Sequence, residues 1–321
     1  MAVLVIGGGG FVGLNIVEHL LAHGESVTLF DLNAPPEAAL SVFKSLPGEL
    51  RTVTGDVCQT GAIAAAITPE IDKLVYGAAV TAGDARDRDA PEATLAVNLD
   101  GFMGALRASR EAELDRVINL SSAGALGAAV FEGEGPLFEE DPAPDPRNIY
   151  AITKFASERV GLRMAEIWGL DVINVRLSGV FGRWERLTGV RDTPSPQFQI
   201  LKALQSGQPA IVERLDERDW IYATDVARAV HALLFAPTLR HRLYHISTGE
   251  RWSVLSWGEA MAAHFHGGKC RLAAAGEHAN ISLHAPTDRR PLSIERLTGE
   301  VGFHCEFGLT QSVDDYFAWS R

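Results

Sequence analysis

Short apolar runs alternate with helix-like patterns along most of the chain. The first run, residues 3–6, leads into a glycine-rich turn at residues 7–13, and the apolar positions over residues 14–23 then recur at helical spacing. Six more strand-like runs follow, at residues 26–30, 50–53, 73–78, 116–121, 171–177 and 243–247. This alternation predicts an α/β fold with a doubly wound parallel sheet, in which ligands bind beyond the carboxyl ends of the strands.

The glycine turn has the composition of a phosphate-binding site. A pyrophosphate reaches the backbone N–H groups at a helix N-terminus only where no Cβ atom intervenes, and glycine provides that access. The second strand-like run is followed by Asp31, where a carboxylate accepts hydrogen bonds from the adenosine ribose hydroxyls of a dinucleotide. Asp31 would repel a 2'-phosphate, and the adjoining Leu32 and Asn33 supply no arginine to attract one. The sequence therefore predicts NAD rather than NADP as the cofactor.

The pattern changes after Leu177. Residues 179–196 are rich in arginine, glycine and proline, and the apolar segments from Arg251 onward are short and irregular. Between these stretches, residues 226–235 carry an apolar helical pattern that can return to the main sheet. We expect an NAD-binding domain formed by residues 1–177 and about 219–247, and a smaller, mostly C-terminal substrate-binding cap formed by about 178–218 and 248–321.

Composition and charge narrow the range of partners. The chain has 321 residues, of which 46% are hydrophobic and 22% charged, so it can bury a large core. Its net charge of -12 opposes binding to nucleic acid, because that affinity comes largely from lysine and arginine neutralising phosphates. No apolar stretch approaches the roughly twenty residues that span a bilayer, so we expect no membrane partner.

Cysteine and histidine usage points to a cytoplasmic chain without a metal site. The first strand-like run begins almost directly after Met1, so we expect no signal peptide. Three widely spaced cysteines are typical of reduced thiols rather than of a disulfide framework. His264 and His266 are not accompanied by carboxylates or cysteines at ligand spacing, and we predict no metal site there.

The candidate catalytic residues lie in the middle of the sequence. Tyr150 and Lys154 are four residues apart in a helical pattern, so both side chains lie on one helix face. A tyrosine phenol titrates near pH 10 and needs a nearby positive charge to act as a base at neutral pH. An earlier strand-like run ends in Ser121 and Ser122 at the edge where ligand is expected. Ser122 can hold a substrate oxygen while Tyr150 removes its proton.

These residues resemble the extended short-chain dehydrogenase/reductases, often called the NAD-dependent epimerase/dehydratase family, and the resemblance covers almost the whole chain. The motifs that carry it are Gly7-x-x-Gly10-Phe11-Val12-Gly13, Asp31, Gly55-Asp56-Val57, Gly77-Ala78-Ala79, Asn98 with Gly101, Ser121-Ser122, Tyr150-x-x-x-Lys154, residues 176–182 and Arg218-Asp219-Trp220-Ile221. The resemblance implies a Rossmann-type sheet and a substrate cap. It also implies a homodimer formed by the helices near residues 94–114 and 150–167.

The family resemblance also implies roles for individual residues. Ser122 and Tyr150 would bind the reacting hydroxyl or carbonyl, and Lys154 would also bond the nicotinamide ribose. Asn98 would support the site from the helix behind it. The residues implied to bind the cofactor are Gly7, Gly10, Phe11, Val12, Gly13, Asp31, Asp56, Val57, Ala78, Ala79, Asn98, Ser121, Tyr150 and Lys154.

Departures from the family bear on the substrate. Leu126 stands where nucleotide-sugar epimerases commonly have a tyrosine, and Ser178 stands where they have an asparagine, which weakens a nucleotide-sugar assignment. Arg218, which in related epimerases approaches a substrate phosphate, is kept. Several other arginines, including Arg186 and Arg289, lie in segments that the resemblance places around the cap cleft, and they favour an anionic substrate, because guanidinium binds carboxylate or phosphate through paired hydrogen bonds. For each of them except Arg218, the alternative is a surface arginine in a weak exposed ion pair. The candidate substrate-binding residues are Ser122, Ser178, Arg183, Arg191, Arg218 and Arg290.

Three functions are compatible with this sequence. The first is an NAD-dependent epimerase-type enzyme that transfers hydride at a secondary alcohol or ketone of a sugar, sugar acid or nucleotide sugar, with Tyr150 as acid and base. The second is a net NAD-dependent dehydrogenase of a small anionic polyol or sugar acid. The third is a non-catalytic dinucleotide sensor. The presence of Ser122, Tyr150 and Lys154 together favours an enzyme.

Overall fold

The computed structural model describes residues 1–81, 83–189, 193–285 and 287–321. Its strands are β1 (Ala2–Ile6), β2 (Ser26–Asp31), β3 (Leu50–Thr54), β4 (Ile71–Tyr76), β5 (Arg116–Ser122), β6 (Val172–Leu177), β7 (Val180–Phe181), β8 (Ala210–Val212), β9 (Glu217–Arg218), β10 (Ile221–Tyr222), β11 (Leu243–Ile246), β12 (Trp252–Ser253) and β13 (Cys270–Leu272). Its α-helices are α1 (Phe11–Ala22), α2 (Glu37–Phe43), α3 (Ala62–Ala66), α4 (Asp84–Asp89), α5 (Pro91–Leu95), α6 (Gly101–Glu111), α7 (Ile149–Trp168), α8 (Pro196–Gln205), α9 (Ala223–Phe235), α10 (Val254–Ala262), α11 (Glu295–Val301) and α12 (Leu309–Trp319).

Seven of the strands form one parallel sheet in the order β11-β6-β5-β4-β1-β2-β3. The chain starts in β1, winds outward through β2 to β3, and then crosses back to β4 on the other side of β1. The order therefore reverses between β1 and β4, which is where a doubly wound sheet forms its ligand crevice. The predicted α/β fold and its doubly wound sheet are confirmed.

Helices cover both faces of this sheet, as a parallel sheet requires. On one face, α1 and α9 pack together over apolar residues such as Val5 and Val175. On the other face, α3 and α6 pack over residues such as Leu4 and Leu74. The strands inside the sheet are buried from both sides, which explains why their sequences are continuous apolar runs rather than alternating ones, whereas the edge strand β3 is largely exposed.

A third apolar cluster lies apart from these two. It is built around Phe181, Trp220 and Trp257 together with side chains of α8, α10 and α12. These residues come from two separate stretches of the chain, one before α9 and one after β11. The cluster gives the smaller part of the molecule a core of its own, while the boundaries given above for the two domains stay a prediction.

Three local features differ from the sequence expectations. Helix α1 begins at Phe11 rather than at residue 14, because Gly10 is extended at the N-cap and its carbonyl already accepts the first helical bond, from Leu14. The expected helix near residues 94–114 is divided into α5, a π-helical turn (Ala96–Asp100) and α6. Helix α9 begins at Ala223, three residues before its predicted apolar pattern.

Across the described ranges, none of the helices has the length and apolar character needed to cross a bilayer.

Candidate active site

The glycine turn between β1 and α1 leaves its backbone open to a ligand. Gly7 has φ +75° and packs so closely on the next strand's end that a Cβ would lie 2.5 Å from the Ala78 nitrogen. A Cβ on Gly13 would lie 2.1 Å from the Gly7 carbonyl oxygen, so this position accepts glycine alone. The tight turn therefore places the start of α1 beside the crevice between β1 and β4, where a helix N-terminus attracts phosphate.

Asp31 lies beside this turn, at the end of β2. Its Oδ2 accepts a hydrogen bond of 3.0 Å from the Gly9 N–H, and its Oδ1 accepts one of 3.2 Å from the Asn33 N–H. Two backbone donors hold the carboxylate in place at the edge of the glycine turn. A carboxylate held there is suited to the hydroxyls of an adenosine ribose, so the turn and Asp31 together fit a dinucleotide.

Four other predicted cofactor residues come shortly after two strands of the sheet. Ala78 and Ala79 come after β4 and Gly77, and the Gly77 N–H donates to the Ile6 carbonyl at 2.8 Å, which joins the ends of β4 and β1. Asp56 and Val57 follow β3. Asp56 accepts a hydrogen bond of 2.9 Å from the Cys58 N–H, and Val57 packs against the apolar cluster under α6.

Ser122 and Tyr150 lie on either side of Gly124. The Ser122 hydroxyl oxygen accepts a hydrogen bond of 3.0 Å from the Gly124 N–H. A Cβ built on Gly124 would lie 3.3 Å from that oxygen and 3.6 Å from Cε1 of the Tyr150 ring. Tyr150 stands in the first turn of α7, whose N-terminus is capped by the Asn148 side chain. The structure thus brings together two hydroxyl side chains that are far apart in the sequence.

Lys154 is buried beneath the tyrosine. Its Nζ donates to the Leu120 carbonyl at 2.7 Å and lies 5.8 Å from the centre of the Tyr150 ring. Burial lowers the pKa of Lys154 to about 8, while the charge of Glu158, one helical turn further along α7, opposes that shift. The lysine therefore keeps a positive charge at neutral pH, close to the phenol whose ionised form it can stabilise.

Glu158 links this lysine to a buried group of charges under the site. It accepts a hydrogen bond of 2.5 Å from the Ser121 hydroxyl and pairs with Nη2 and Nε of the Arg176 guanidinium, at 2.7 and 2.9 Å. Both charged side chains are at most 4% exposed. The hydroxyl of Ser121, predicted to bind the cofactor, thus donates its hydrogen bond to Glu158. The network fixes the position of β5 and β6 relative to α7.

Asn98 acts through the protein framework. Its Oδ1 accepts from the Val80 N–H at 2.9 Å, and its Nδ2 donates to the Val80 carbonyl at 3.1 Å and to the Thr153 hydroxyl at 3.0 Å. These bonds use both amide hydrogens, so none is left for the cofactor that the prediction assigned to Asn98. The π-helical turn instead aims Asn98 at Thr153, next to Lys154, and joins the loop after β4 to α7.

The predicted substrate-binding residues differ in what they contact. Arg183 pairs through two nitrogens with Asp315 of α12, and Arg290 donates to the carbonyls of Glu132, Gly135 and Pro136. These contacts join Arg183 to α12 and Arg290 to the loop before α7, so both arginines have partners within the protein. Arg191 lies outside the described residues.

Arg218 and Ser178 belong to a buried polar cluster. Arg218 is 5% exposed and pairs with Asp216 at 3.0 Å. Burial lowers the pKa of Arg218, and Asp216 opposes that shift. The Ser178 hydroxyl donates to the Asp219 carboxylate at 2.8 Å and accepts from Arg289. Ser178 is thus bound within the protein rather than open to the crevice.

Comparison with known proteins decides the family. A model of the NAD dependent epimerase/dehydratase family matches residues 3–246. The chain belongs to this family. Its glycine turn, Asp31 and the open backbone at the start of α1 fit the NAD of the family, and the predicted cofactor is confirmed.

Relatives and solved structures agree with this membership. The chain is 25% identical to a dTDP-glucose 4,6-dehydratase from Streptomyces niveus, over 100% of this chain and 93% of that protein. The crystal structure of a Thermus thermophilus UDP-glucose 4-epimerase in complex with NAD is 26% identical, covers 99% of both chains and has a TM-score of 0.77. A Stenotrophomonas maltophila UDP-glucose-4-epimerase with bound NAD and formylated UDP-arabinopyranose has a TM-score of 0.84 over 100% and 98% of the two chains, and at 20% identity it shows the shared fold.

Sequence reasoning missed two residues that the structure makes prominent. Asp219, read only as part of a family motif, accepts hydrogen bonds from Ser178, Ser247, Arg289 and the Leu292 N–H. Arg186, read only as one arginine among several, donates to the Gly9 carbonyl in the glycine turn. Neither contact has a signal in the sequence, because the partners are far apart along the chain.

Proposed function

We propose that this enzyme catalyses an NAD-dependent epimerisation or dehydration of a nucleotide-linked sugar, beginning with oxidation of a secondary hydroxyl. The observation that carries the proposal is the placement of Ser122 and Tyr150 on either side of Gly124, above the buried Lys154. Family membership and the dTDP-glucose 4,6-dehydratase and UDP-glucose 4-epimerase relatives support the choice of nucleotide sugars.

Each residue of this group has a part in moving the proton. NAD, when bound, supplies a hydride acceptor that can give the hydride back. Ser122 holds the substrate oxygen by a hydrogen bond while the Tyr150 phenolate takes the hydroxyl proton, so that the substrate carbon becomes a carbonyl carbon as its hydride leaves. Lys154 stabilises the phenolate through its charge. When hydride returns to the substrate, Tyr150 gives the proton back to the oxygen.

Gly124 leaves the room that the substrate oxygen needs. Because the glycine has no side chain, the space between the Ser122 oxygen and the Tyr150 ring stays open to the crevice. Gly7 and Ala78 border the same crevice from β1 and β4. The reacting carbon and the nicotinamide can therefore meet at the carboxyl edge of the sheet.

The substrate's anionic part is proposed to bind near Arg218. Arg218, Arg214 and Arg289 each pair with a carboxylate, but the Nη2 atom of Arg218 makes no hydrogen bond to the described residues. A substrate diphosphate would supply an acceptor for this nitrogen, since guanidinium binds phosphate through paired hydrogen bonds.

A net dehydrogenase of a small sugar acid is the second candidate. It is favoured by the two positions at which the chain departs from nucleotide-sugar epimerases. Leu126 is fully buried, and Ser178 is tied to Asp219 and Arg289. Leu126 packs inside this protein and Ser178 is hydrogen-bonded within it, so neither position offers the tyrosine or asparagine common in those epimerases.

One experiment distinguishes these two candidate enzymes from each other and from a non-catalytic dinucleotide sensor. Purified protein is incubated with NAD and a panel of UDP- and dTDP-hexoses, hexuronates and free sugar acids, while absorbance at the NADH band is recorded and products are identified by chromatography and mass. An isomerised or dehydrated nucleotide sugar without net NADH supports the proposal. Accumulating NADH with a sugar acid supports the dehydrogenase, and NAD binding without any turnover on the panel supports the sensor.

Tyr150→Phe tests the acid/base assignment. We expect the turnover number to fall at least about a hundredfold, because a positioned acid/base contributes about that much, while NAD affinity stays within a few-fold of the original. Turnover is measured with the active substrate from the panel, and NAD affinity by calorimetry. A variant with full turnover would remove Tyr150 from the mechanism.

A further inference from the structure

Arg186 reaches the phosphate-binding turn from a distant part of the chain. It lies in the segment that follows β7, residues 182–189, and its Nη2 donates a hydrogen bond to the carbonyl oxygen of Gly9. Gly9 is the residue whose N–H binds Asp31. The guanidinium therefore lies at the junction between the first turn of α1 and the carboxylate expected to hold the adenosine ribose.

The neighbours of Arg186 fix this segment against α1. The Asn15 side chain donates to the Arg183 carbonyl at 2.8 Å, and the Trp184 indole donates to Glu18 at 2.5 Å. On the other side, Glu185 accepts hydrogen bonds from the backbone and side chain of Ser195, at the N-terminus of α8. Arg186 is thus presented by a segment anchored on both sides, which limits the entropy that its side chain loses on binding a ligand.

One arm of the guanidinium is buried without a partner. Nη1 of Arg186 has no hydrogen-bond acceptor among the described residues. Burial lowers the pKa of Arg186, and the charge of Asp31 partly opposes this shift. Both Asp31 oxygens already accept backbone hydrogen bonds. A buried, unpaired guanidinium nitrogen is costly, which indicates that an acceptor from outside the chain completes it.

We propose that Arg186 is a cofactor-binding residue whose free arm binds the diphosphate of NAD. The diphosphate is expected at the N-terminus of α1, directly after Gly9, and it carries the negative charge for which guanidinium is best suited. The backbone N–H groups of the turn hold the diphosphate from the side of the sheet. Arg186 contacts the diphosphate from another side, because it lies in the segment that leads into the cap.

Three ligands distinguish a contact with the diphosphate from a contact with the nicotinamide or with the adenosine ribose. ADP-ribose keeps the diphosphate and lacks the nicotinamide, whereas NADP adds a phosphate on the adenosine ribose. Binding of NAD, ADP-ribose and NADP is measured by calorimetry for the original protein and for Arg186→Gln, which keeps a donor for the Gly9 carbonyl and removes the charge. Arg163→Gln, an exposed arginine paired with Glu166 on α7, is the matched control.

We expect Arg186→Gln to weaken NAD and ADP-ribose alike, by about 10- to 100-fold, as the loss of a charge-assisted hydrogen bond implies. The affinity of the variant should also depend less steeply on salt, a change that a purely structural role would not produce. Arg186→Lys should recover part of the affinity. The control should match the original protein.

Several outcomes would overturn this assignment. NAD affinity of Arg186→Gln within twofold of the original, with an unchanged melting temperature, would show that Arg186 does not bind the cofactor. A loss for NAD without a loss for ADP-ribose would move the contact to the nicotinamide, and a loss for NADP alone would move it to the ribose. If Arg186→Gln melts at a lower temperature than the original protein, the assignment is decided instead by how steeply the NAD affinity of Arg186→Lys depends on salt. All of these measurements are independent of the sugar substrate.

Discussion

Gly124 lies beside both Ser122 and Tyr150 of the candidate site, and its missing side chain leaves space next to them. A Cβ at this position would already be tight against Ser122, at 3.3 Å, and in contact with Tyr150, at 3.6 Å. The backbone at Gly124 does not need glycine for its conformation, since it lies in a 3-10 turn. Glycine is therefore needed at this position for the space that it leaves and not for its backbone conformation.

Gly124→Val should reduce kcat/KM by about a hundredfold, because the branched side chain fills the space between Ser122 and Tyr150 and displaces the substrate oxygen. NAD affinity should be unchanged. Gly104→Val is the control, since a Cβ at Gly104 of α6 meets only one atom, at 3.9 Å. Equal activity in the two variants would mean that the substrate does not bind between Ser122 and Tyr150.

Helix α12 is held to the rest of the molecule by a carboxylate with two partners. Asp315 accepts from the Arg183 guanidinium and, at 2.6 Å, from the Tyr222 hydroxyl. Arg183 follows β7 and also lies near Glu18 of α1, at 3.9 Å. Helix α12 is thus tied to the segment after β7 and to β10.

The homodimer implied by the helices near residues 94–114 and 150–167 stays a prediction.

Arg183→Ala should lower the free energy of unfolding by about 1–3 kcal/mol, because Asp315 then loses its charged partner while remaining partly buried. Urea denaturation measures this change, and hydrogen exchange should show earlier opening of α12. Arg163→Ala should change stability by less than about 1 kcal/mol, since its pair with Glu166 is exposed. Unchanged stability with a raised KM would instead restore Arg183 as a substrate ligand.

At the scale of the whole molecule, the sequence predicted the sheet and the central residues of the site but not the connections between them. Apolar runs locate the strands because parallel strands are buried on both faces, and the spacing of Tyr150 and Lys154 is local to one helix. The contacts of Arg186 with Gly9 and of Ser178 with Asp219 join residues distant along the chain. No periodicity encodes such contacts, because they depend on how segments far apart in the sequence meet in the folded chain.

Stability of the whole molecule should decrease in mild acid because His245 is buried. Burial and the nearby charge of Arg176 lower the pKa of His245 to about 3. In the unfolded chain this imidazole titrates near 6.5, so between pH 6.5 and 3 the unfolded state binds a proton that the folded state does not. The stabilisation is complete above pH 6.5 and falls as the pH decreases, by about 1.4 kcal/mol per unit for one such group.

Urea denaturation at pH 7.5, 6.0 and 5.0 measures this effect. His245→Gln, which cannot take up the proton, should show a smaller loss of stability between pH 6.0 and 5.0 than the original protein, whatever its stability at pH 7.5. His19, whose pKa burial and His23 lower to about 3, acts in the same direction and remains in both proteins. Identical pH slopes would mean that His245 is protonated in the folded state.

The cluster around Asp219 also constrains the order in which the protein is made and folded. Asp219 joins Ser178, Ser247, Arg289 and the backbone of Leu292, so its bonds cannot all form until the ribosome has released the chain beyond residue 292. Strands β1 to β6 emerge long before that point and can pair with one another, because domains fold as their chain is synthesised. A nascent chain stalled before residue 289 would hold an assembled sheet beside an Asp219 carboxylate without its arginine partner. Completion of this cluster therefore comes after the strands of the sheet have been synthesised.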